Sequence, residues 1–288
     1  MVRIHLFLLL LLPHLLSAQG PYAPQAGEPG STAIPKDSIC FRDWAMSCDV
    51  TRGLREIGVL DSGYADAGVP VYGTGKADAP RTVSLGDGGF AILTFNAPIF
   101  DGEGPDFAVF ENGFGSGSEA FLEFAFVEVS SDGVNFIRFP AQCKVQSDTQ
   151  KASFDNTDAS ELQHLAGKYV AHFGVPFDLS DLPDTFALDK QKITHIKIID
   201  VVGSIEDEHA RHDSEGNVIN DPWPTNFSSG GFDLDAVGVI NSWIPLGLQE
   251  KQSIDEAEAL YYDLLGRPVL QKQGVIIGAN GFKSYNGQ

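Results

Sequence analysis

The stretch FLEFAFVEVSSDGVNFIRFP, residues 121–140, decides the fold. Its first ten residues place Leu122, Phe124 and Phe126 on one side of an extended chain. Phe121, Ala125, Val127 and Val129 fall on the other, because strand side chains alternate. Apolar residues on both sides predict a strand between a core and a covering layer. Ser-Ser-Asp-Gly follows at 130–133, and Asp-Gly tolerates the positive φ that a tight hairpin turn requires. A second strand at 135–140 would then pair antiparallel with the first.

The same texture extends outward. Runs rich in Val, Ile and Phe at 82–84, 90–95, 107–110, 195–201 and 232–240 are separated by Gly, Asp, Asn and Pro clusters, the pattern of antiparallel strands and turns. Helical periodicity is weak, with two turns expected at 160–168 and one short helix within 37–60. Many strands joined by long irregular loops predict an all-β sandwich over residues 38–242.

The ends differ from this middle. Arg3, an apolar stretch at 6–12 and the small residues Ser17 and Ala18 form the tripartite pattern of a secretory signal peptide, residues 1–18. Pro13 and His14 interrupt that stretch before the about 20 apolar residues a membrane-spanning helix needs. No later segment is apolar enough to span, so no transmembrane span is expected in the mature chain. Residues 19–37, rich in Pro, Gly, Ala and Ser, read as a flexible leader. Residues 243–288 begin as a polar linker and end as a short β-hairpin-like tail.

Acidic residues outnumber basic ones 39 to 19, for a formal charge of −20. Nucleic acid is excluded as a partner class, because phosphate binding needs Lys/Arg clusters. Of three cysteines, Cys40 and Cys48 are spaced to allow a disulfide in an oxidising location, a question the sequence leaves open. Cys143 is expected as a half-buried thiol.

Five stretches, VSLGDGGFAILTFNAPI (83–99), GPDFAVFENGF (104–114), FVEVSSDGVNFIRFPA (126–141), ITHIKIIDVVGS (193–204) and SGGFDLDAVGVI (229–240), carry a resemblance. They resemble a family of secreted cell surface proteins found in Bacteroidetes and some other bacteria. The resemblance covers residues 40–240 and implies a jelly-roll β-sandwich of the carbohydrate-binding-module kind. At the other end, YYDLLGRPVLQ (261–271) and GVIIGANGFK (274–283) resemble a type IX secretion sorting domain. The tail is shorter than that pattern and lacks its Lys-rich end. Together these resemblances imply a secreted or cell-surface protein on the extracellular side of the outer membrane.

Candidate chemistry gathers at strand ends. Asp101 and Glu103 sit in one loop, Asp106 opens the next strand, and Glu111 closes it. Asp200 ends another strand, while Asp233 and Asp235 are expected on one face of the last long one. Carboxylates converging from several loops suit Ca²⁺, which takes six to eight oxygens at about 2.3–2.6 Å. Asp106, Glu111, Asp200, Asp233 and Asp235 are therefore the expected ligands of a structural calcium, which the jelly-roll resemblance also implies. The bland alternative is that these acids only solvate loop ends.

Aromatic residues on loops are the expected ligand contacts: Trp223 and Phe227 in NDPWPTNFSSGG, with Tyr169 and His172 in a second loop. Exposed rings on stiff loops stack on sugar faces or other flat ligands. The opposite expectation for Trp223 is that it packs its loop onto the sandwich. His209 and His212 read as part of a polar loop, since HExxH order is missing. GxSxG and phosphate-cradling Gly loops are absent.

The resulting expectation is a non-catalytic surface module that captures a glycan or another nutrient, a corrinoid among them. An outer-membrane transporter is an implied partner. Two alternatives stand beside it: a glycoside-active or esterase-like hydrolase using loop carboxylates about 5–9.5 Å apart, and a structural surface protein stapled by calcium.

Overall fold

The structure, a computed structural model, describes residues 20–243 and the backbone of four short strands beyond them. The expected signal peptide lies outside the described residues, and of the sorting-like tail only those strands are described. No helix among the described residues is long and apolar enough to cross a membrane.

Residues 20–243 form an all-β sandwich of two antiparallel six-stranded sheets. In the first, the spatial order is Ile34–Pro35, Phe173–Phe177, Phe107–Glu111, Asp233–Val239 and Asp43–Trp44, with Val83–Ser84 also paired to Asp233–Val239. In the second it is Ile137–Arg138, Ala125–Ser130, Ile193–Asp200, Phe90–Ile99 and Ser47–Thr51, with Leu165–Ala166 paired to Ala125–Ser130. From Asp43–Trp44 onward the chain crosses between the two sheets eight times, the last crossing leading from Ile193–Asp200 to Asp233–Val239.

The core lies between the sheets. Val109, Val175, Val237 and Val239 from one meet Leu93, Val127, Ile196 and Ile198 from the other in a single buried cluster. Phe107 stacks on Phe177 at 5.3 Å and meets Phe139 edge-on. Phe107–Glu111 is buried at every position because its outward residues are also covered. Phe41 and Trp44 cap Phe110 at 5.6 and 5.5 Å, making a second small cluster with Ala77, Ala108 and Ala236. On the other sheet the covering layer over Phe126 is the Arg138 guanidinium, 4.1 Å from the ring centre.

The hairpin at 130–133 forms, with Ile137 opposite Val129 and Gly133 at φ 77°. Asp132 Oδ1 accepts the amides of Val134 and Asn135, both at 2.8 Å, and these bonds hold the Asp132 carboxyl far below the usual carboxylate range. The expected strand at 121–130 is broken in two, Glu119–Phe121 and Ala125–Ser130. The break occurs because the Phe124 amide bonds to the Asp221 carboxylate at 2.8 Å instead of a neighbouring strand. The helix expected at 160–168 is a single 3-10 turn, Ala159–Glu161, with Asp158 accepting from Ser160 at its start. Two short strands follow it.

Residues 20–37 are part of the sandwich, which corrects their reading as a flexible leader. Ile34–Pro35 pairs with Phe173–Phe177, Gln25 is buried, and Tyr22 donates its amide to Ser160 and its hydroxyl to Gln142. Cys40 and Cys48 are both free thiols, and Cys143 is fully buried where half-burial was expected. Beyond the sandwich, Pro245–Gln288 is a separate unit. Its strands pair antiparallel in the order Pro268–Val269, Tyr261–Tyr262, Val275–Gly278 and Lys283–Tyr285, a four-stranded sheet where the sequence implies a hairpin.

Candidate functional site

Asp106 and Glu111 bracket the strand Phe107–Glu111, which advances about 3.3 Å per residue. The five expected calcium ligands are therefore divided between the two ends of the sandwich. At the Asp106 end, one carboxylate oxygen from each of Asp101, Asp106 and Asp178 lies within 4.8 Å of the other two. Asp106 is fully buried, and burial raises its pKa. Oδ1 accepts from Gly102 and Asn241, and Oδ2 from Leu179, each at 2.8 Å.

Asp235 is apart from the other acids. The register of Asp233–Val239 against Phe107–Glu111 shifts between Leu234 and Ala236, a bulge that breaks simple alternation at Asp235. Its oxygens accept the amides of Asp78 and Ala79 at 3.0 and 3.2 Å, so it holds the loop ahead of Val83–Ser84.

Glu111, Asp200 and Asp233 do come together, and three further buried acids join them: Asp87, Glu123 and Asp221. All six are at most 6% exposed. Asp200 accepts the amides of Gly88, Val202 and Phe232 at 2.8–2.9 Å. Asp233 accepts from Ser84 Oγ and, at 2.9 Å, from Asn112. Burial dominates the electrostatics, and mutual repulsion adds to it. Asp87 is pushed up to about 7, Asp200 and Asp233 to about 6, and Glu111, Glu123 and Asp221 well above the usual carboxylate range. Glu123 is the hub: after burial, the charges of Asp233, Glu111, Asp221 and Asp200 all raise it. Positive charge nearby is sparse, with Arg52 acting on Asp233, Arg211 on Asp200 and Lys151 on Asp221. The Arg52 guanidinium is itself occupied by the carbonyls of Ala67, Gly68 and Ser84.

Aromatic side chains rim the same end. Phe114 stacks on Phe121 at 4.8 Å, Phe121 meets Phe154 at 6.0 Å, and Phe154 meets Phe227 at 5.5 Å. Phe114, Phe154 and Phe227 are 60%, 65% and 44% exposed, while Phe121 is buried beneath them. Two loops that carry this rim are tied together. Trp223 donates its amide to the Lys151 carbonyl at 3.1 Å, and Ser153 its hydroxyl to Pro224 at 2.7 Å.

Of the expected ligand contacts, Phe227 belongs to the rim. Trp223 is half-buried beneath it, its indole N–H donated to Asp87, so it packs its loop down. His172 is exposed and follows Ala171, whose amide donates to Gly113 beside Phe114. Tyr169 is not a surface ring: it is 1% exposed in the core, with its hydroxyl 2.9 Å from Thr32 Oγ1. Phe114, Phe121 and Phe154 were not legible as a site, because they are far apart in sequence and carry no motif.

A separate cleft of about 290 Å³ is lined by Ile34, Pro105, His164, Lys168, Asp178 and Asp181, and so adjoins the Asp101–Asp106–Asp178 group. His164 has φ 52°, with Nε2 3.0 Å from Asp181 and Nδ1 3.2 Å from the Pro140 carbonyl. Lys168 is buried, donates to the Leu162 carbonyl at 2.7 Å, and is pulled down to about 8 by burial. The chain matches no family model, no curated protein and no solved structure.

Proposed function

We propose that this chain is a non-catalytic binding module, exported to the cell surface, which holds a glycan on the rim formed by Phe114, Phe121, Phe154 and Phe227. The observation that carries this reading is a row of rings in which Phe114, Phe154 and Phe227 are exposed and joined through the buried Phe121, with the Phe154 and Phe227 loops tied to each other. Exposed aromatic faces stack on the apolar faces of sugar rings. Rings already fixed in place lose little freedom on binding, which favours affinity. A corrinoid, with its broad flat macrocycle, is the second ligand this surface suits. Export rests on the signal-like residues 1–18, and delivery to the surface on the sorting-like tail. An outer-membrane transporter is the partner that reading implies.

A structural calcium belongs to the same reading. Three carboxylate oxygens within 4.8 Å of one another, at Asp101, Asp106 and Asp178, suit a cation that takes oxygen ligands at about 2.3–2.6 Å. The hydrolase alternative needs two carboxylates lining a sugar cleft. The six acids beside the rim are buried, most of them bonded to amide or side-chain donors, which favours binding over hydrolysis. The reading is tested by thermal-shift and calorimetric screening against glycans and corrinoids, since a ligand of the native state raises its stability. Silence across both panels would remove it.

A further inference from the structure

Glu111 and Asp221 each leave one carboxylate oxygen buried without a partner, Oε1 and Oδ1 respectively. Their other oxygens are used, Glu111 Oε2 by the Gly113 amide at 2.6 Å and Asp221 Oδ2 by the Phe124 amide. Both residues are at least nine-tenths buried, both feed charge onto Glu123, and the charge of Asp221 also reaches Glu111. A buried charge needs a partner, and a buried oxygen without one costs its full desolvation. Protons on these carboxyls would remove charge but leave those two oxygens unpaired. A cation satisfies both demands at once.

We propose that a divalent cation, Ca²⁺ by its oxygen-only donor set, binds between Glu111, Glu123 and Asp221, beneath the aromatic rim and distinct from the Asp101–Asp106–Asp178 group. Each of the three stands where a bound ion would tie separate rim loops together. Glu111 ends the strand that leads into Phe114. Glu123 follows Phe121 by two residues, and Asp221 opens the loop of Trp223 and Phe227. Gly167, at φ 83°, lets the chain pass so close to Glu123 that an added Cβ would lie 1.7 Å from its carbonyl oxygen. Glu123 is thus clamped from behind. Binding draws the three carboxylates inward, since their oxygens are not all within 4.8 Å of one another, whereas those of the Asp101 group are. The ion does not depend on what the rim binds, so failure of the glycan reading leaves it standing.

The test is terbium luminescence of the full chain after chelator treatment, excited through tryptophan and competed with Ca²⁺. Trp223 is bonded to Asp87 inside the acid cluster. Trp243 instead packs on Phe100, next to Asp101, at 4.7 Å. A luminescence signal displaced by Ca²⁺, kept in W243F and lost when both Trp223 and Trp44, which packs on Phe110 beside Glu111, are changed to Phe, is the expected result. Loss in W243F alone, or no signal and no calcium uptake at millimolar Ca²⁺, would overturn the proposal. If that double variant does not fold, equilibrium dialysis decides. Wild type and D178N should then share a bound equivalent that E123Q lacks, and E123Q binding as much as wild type would overturn the proposal.

Discussion

The indole N–H of Trp223 lies 3.2 Å from Oδ2 of Asp87, an oxygen that also accepts the Ile57 amide at 2.8 Å. The aromatic that the sequence offers as a ligand contact is thus an anchor, holding the rim loop to a buried acid 136 residues away. W223F keeps an aromatic ring but removes the donor together with the pyrrole half of the indole. Asp87 is pushed up to about 7, so well above that pH the bond is to a charged group and contributes about 1.5–3 kcal/mol. Urea unfolding of W223F at about pH 8.5 should show at least that loss. An unchanged midpoint would mean the bond is not made in solution.

Lys168 gives a pH dependence with a definite sign. Its folded pKa of about 8 is below the 10.5 of the unfolded chain, and burial is the larger cause, opposed by the charge of Asp158. Between those values the unfolded chain keeps a proton that the folded chain has lost, so rising pH favours folding through this group. The unfolding free energy of wild type minus that of K168M should rise by roughly 3 kcal/mol between pH 8 and 10.5. A flat difference would contradict the burial of the ammonium.

The three cysteines should all be found as thiols. Cys48 and Cys143 are pushed up to about 12, chiefly by burial, and should react slowly in the native protein. Thiol titration in denaturant should count all three, while the native protein should show mainly Cys40. Fewer than three in denaturant would indicate a Cys40–Cys48 disulfide.

Gly167 and Gly216 both have positive φ, 83° and 86°, but only Gly167 lacks room for a side chain. G216A should cost about 1–2 kcal/mol for the left-handed backbone alone. G167A adds collision with the Glu123 carbonyl and should cost more, beyond about 2 kcal/mol. Equal losses in the two variants would show that the close approach is absent.

The two-residue alternation and the Asp-Gly turn made the hairpin at 130–133 legible, along with most central strands. Ser47–Thr51 and Phe173–Phe177 were not, because each is short and lies among polar or Pro/Gly-rich residues. Half of the buried acid cluster was legible, since Glu111, Asp200 and Asp233 stand at strand ends. Asp87, Glu123 and Asp221 were not. Asp87 and Asp221 lie in loops, and Glu123 falls where Asp221 breaks an expected strand from 97 residues away. Tyr169 shows the converse limit. A ring in a polar-looking segment is in the core, because the segment 20–37 packs over it and Thr32 meets its hydroxyl.

Glycan-array and calorimetric binding of wild type against the F154A/F227A double variant tests the rim most directly. Phe154 is 65% and Phe227 44% exposed, so each change should cost no more than about 1 kcal/mol of stability. The predicted result is a glycan bound by wild type whose affinity falls about tenfold or more in the folded double variant, a loss of about 1.4 kcal/mol or more. Equal affinity in the two proteins would contradict the rim as the binding surface.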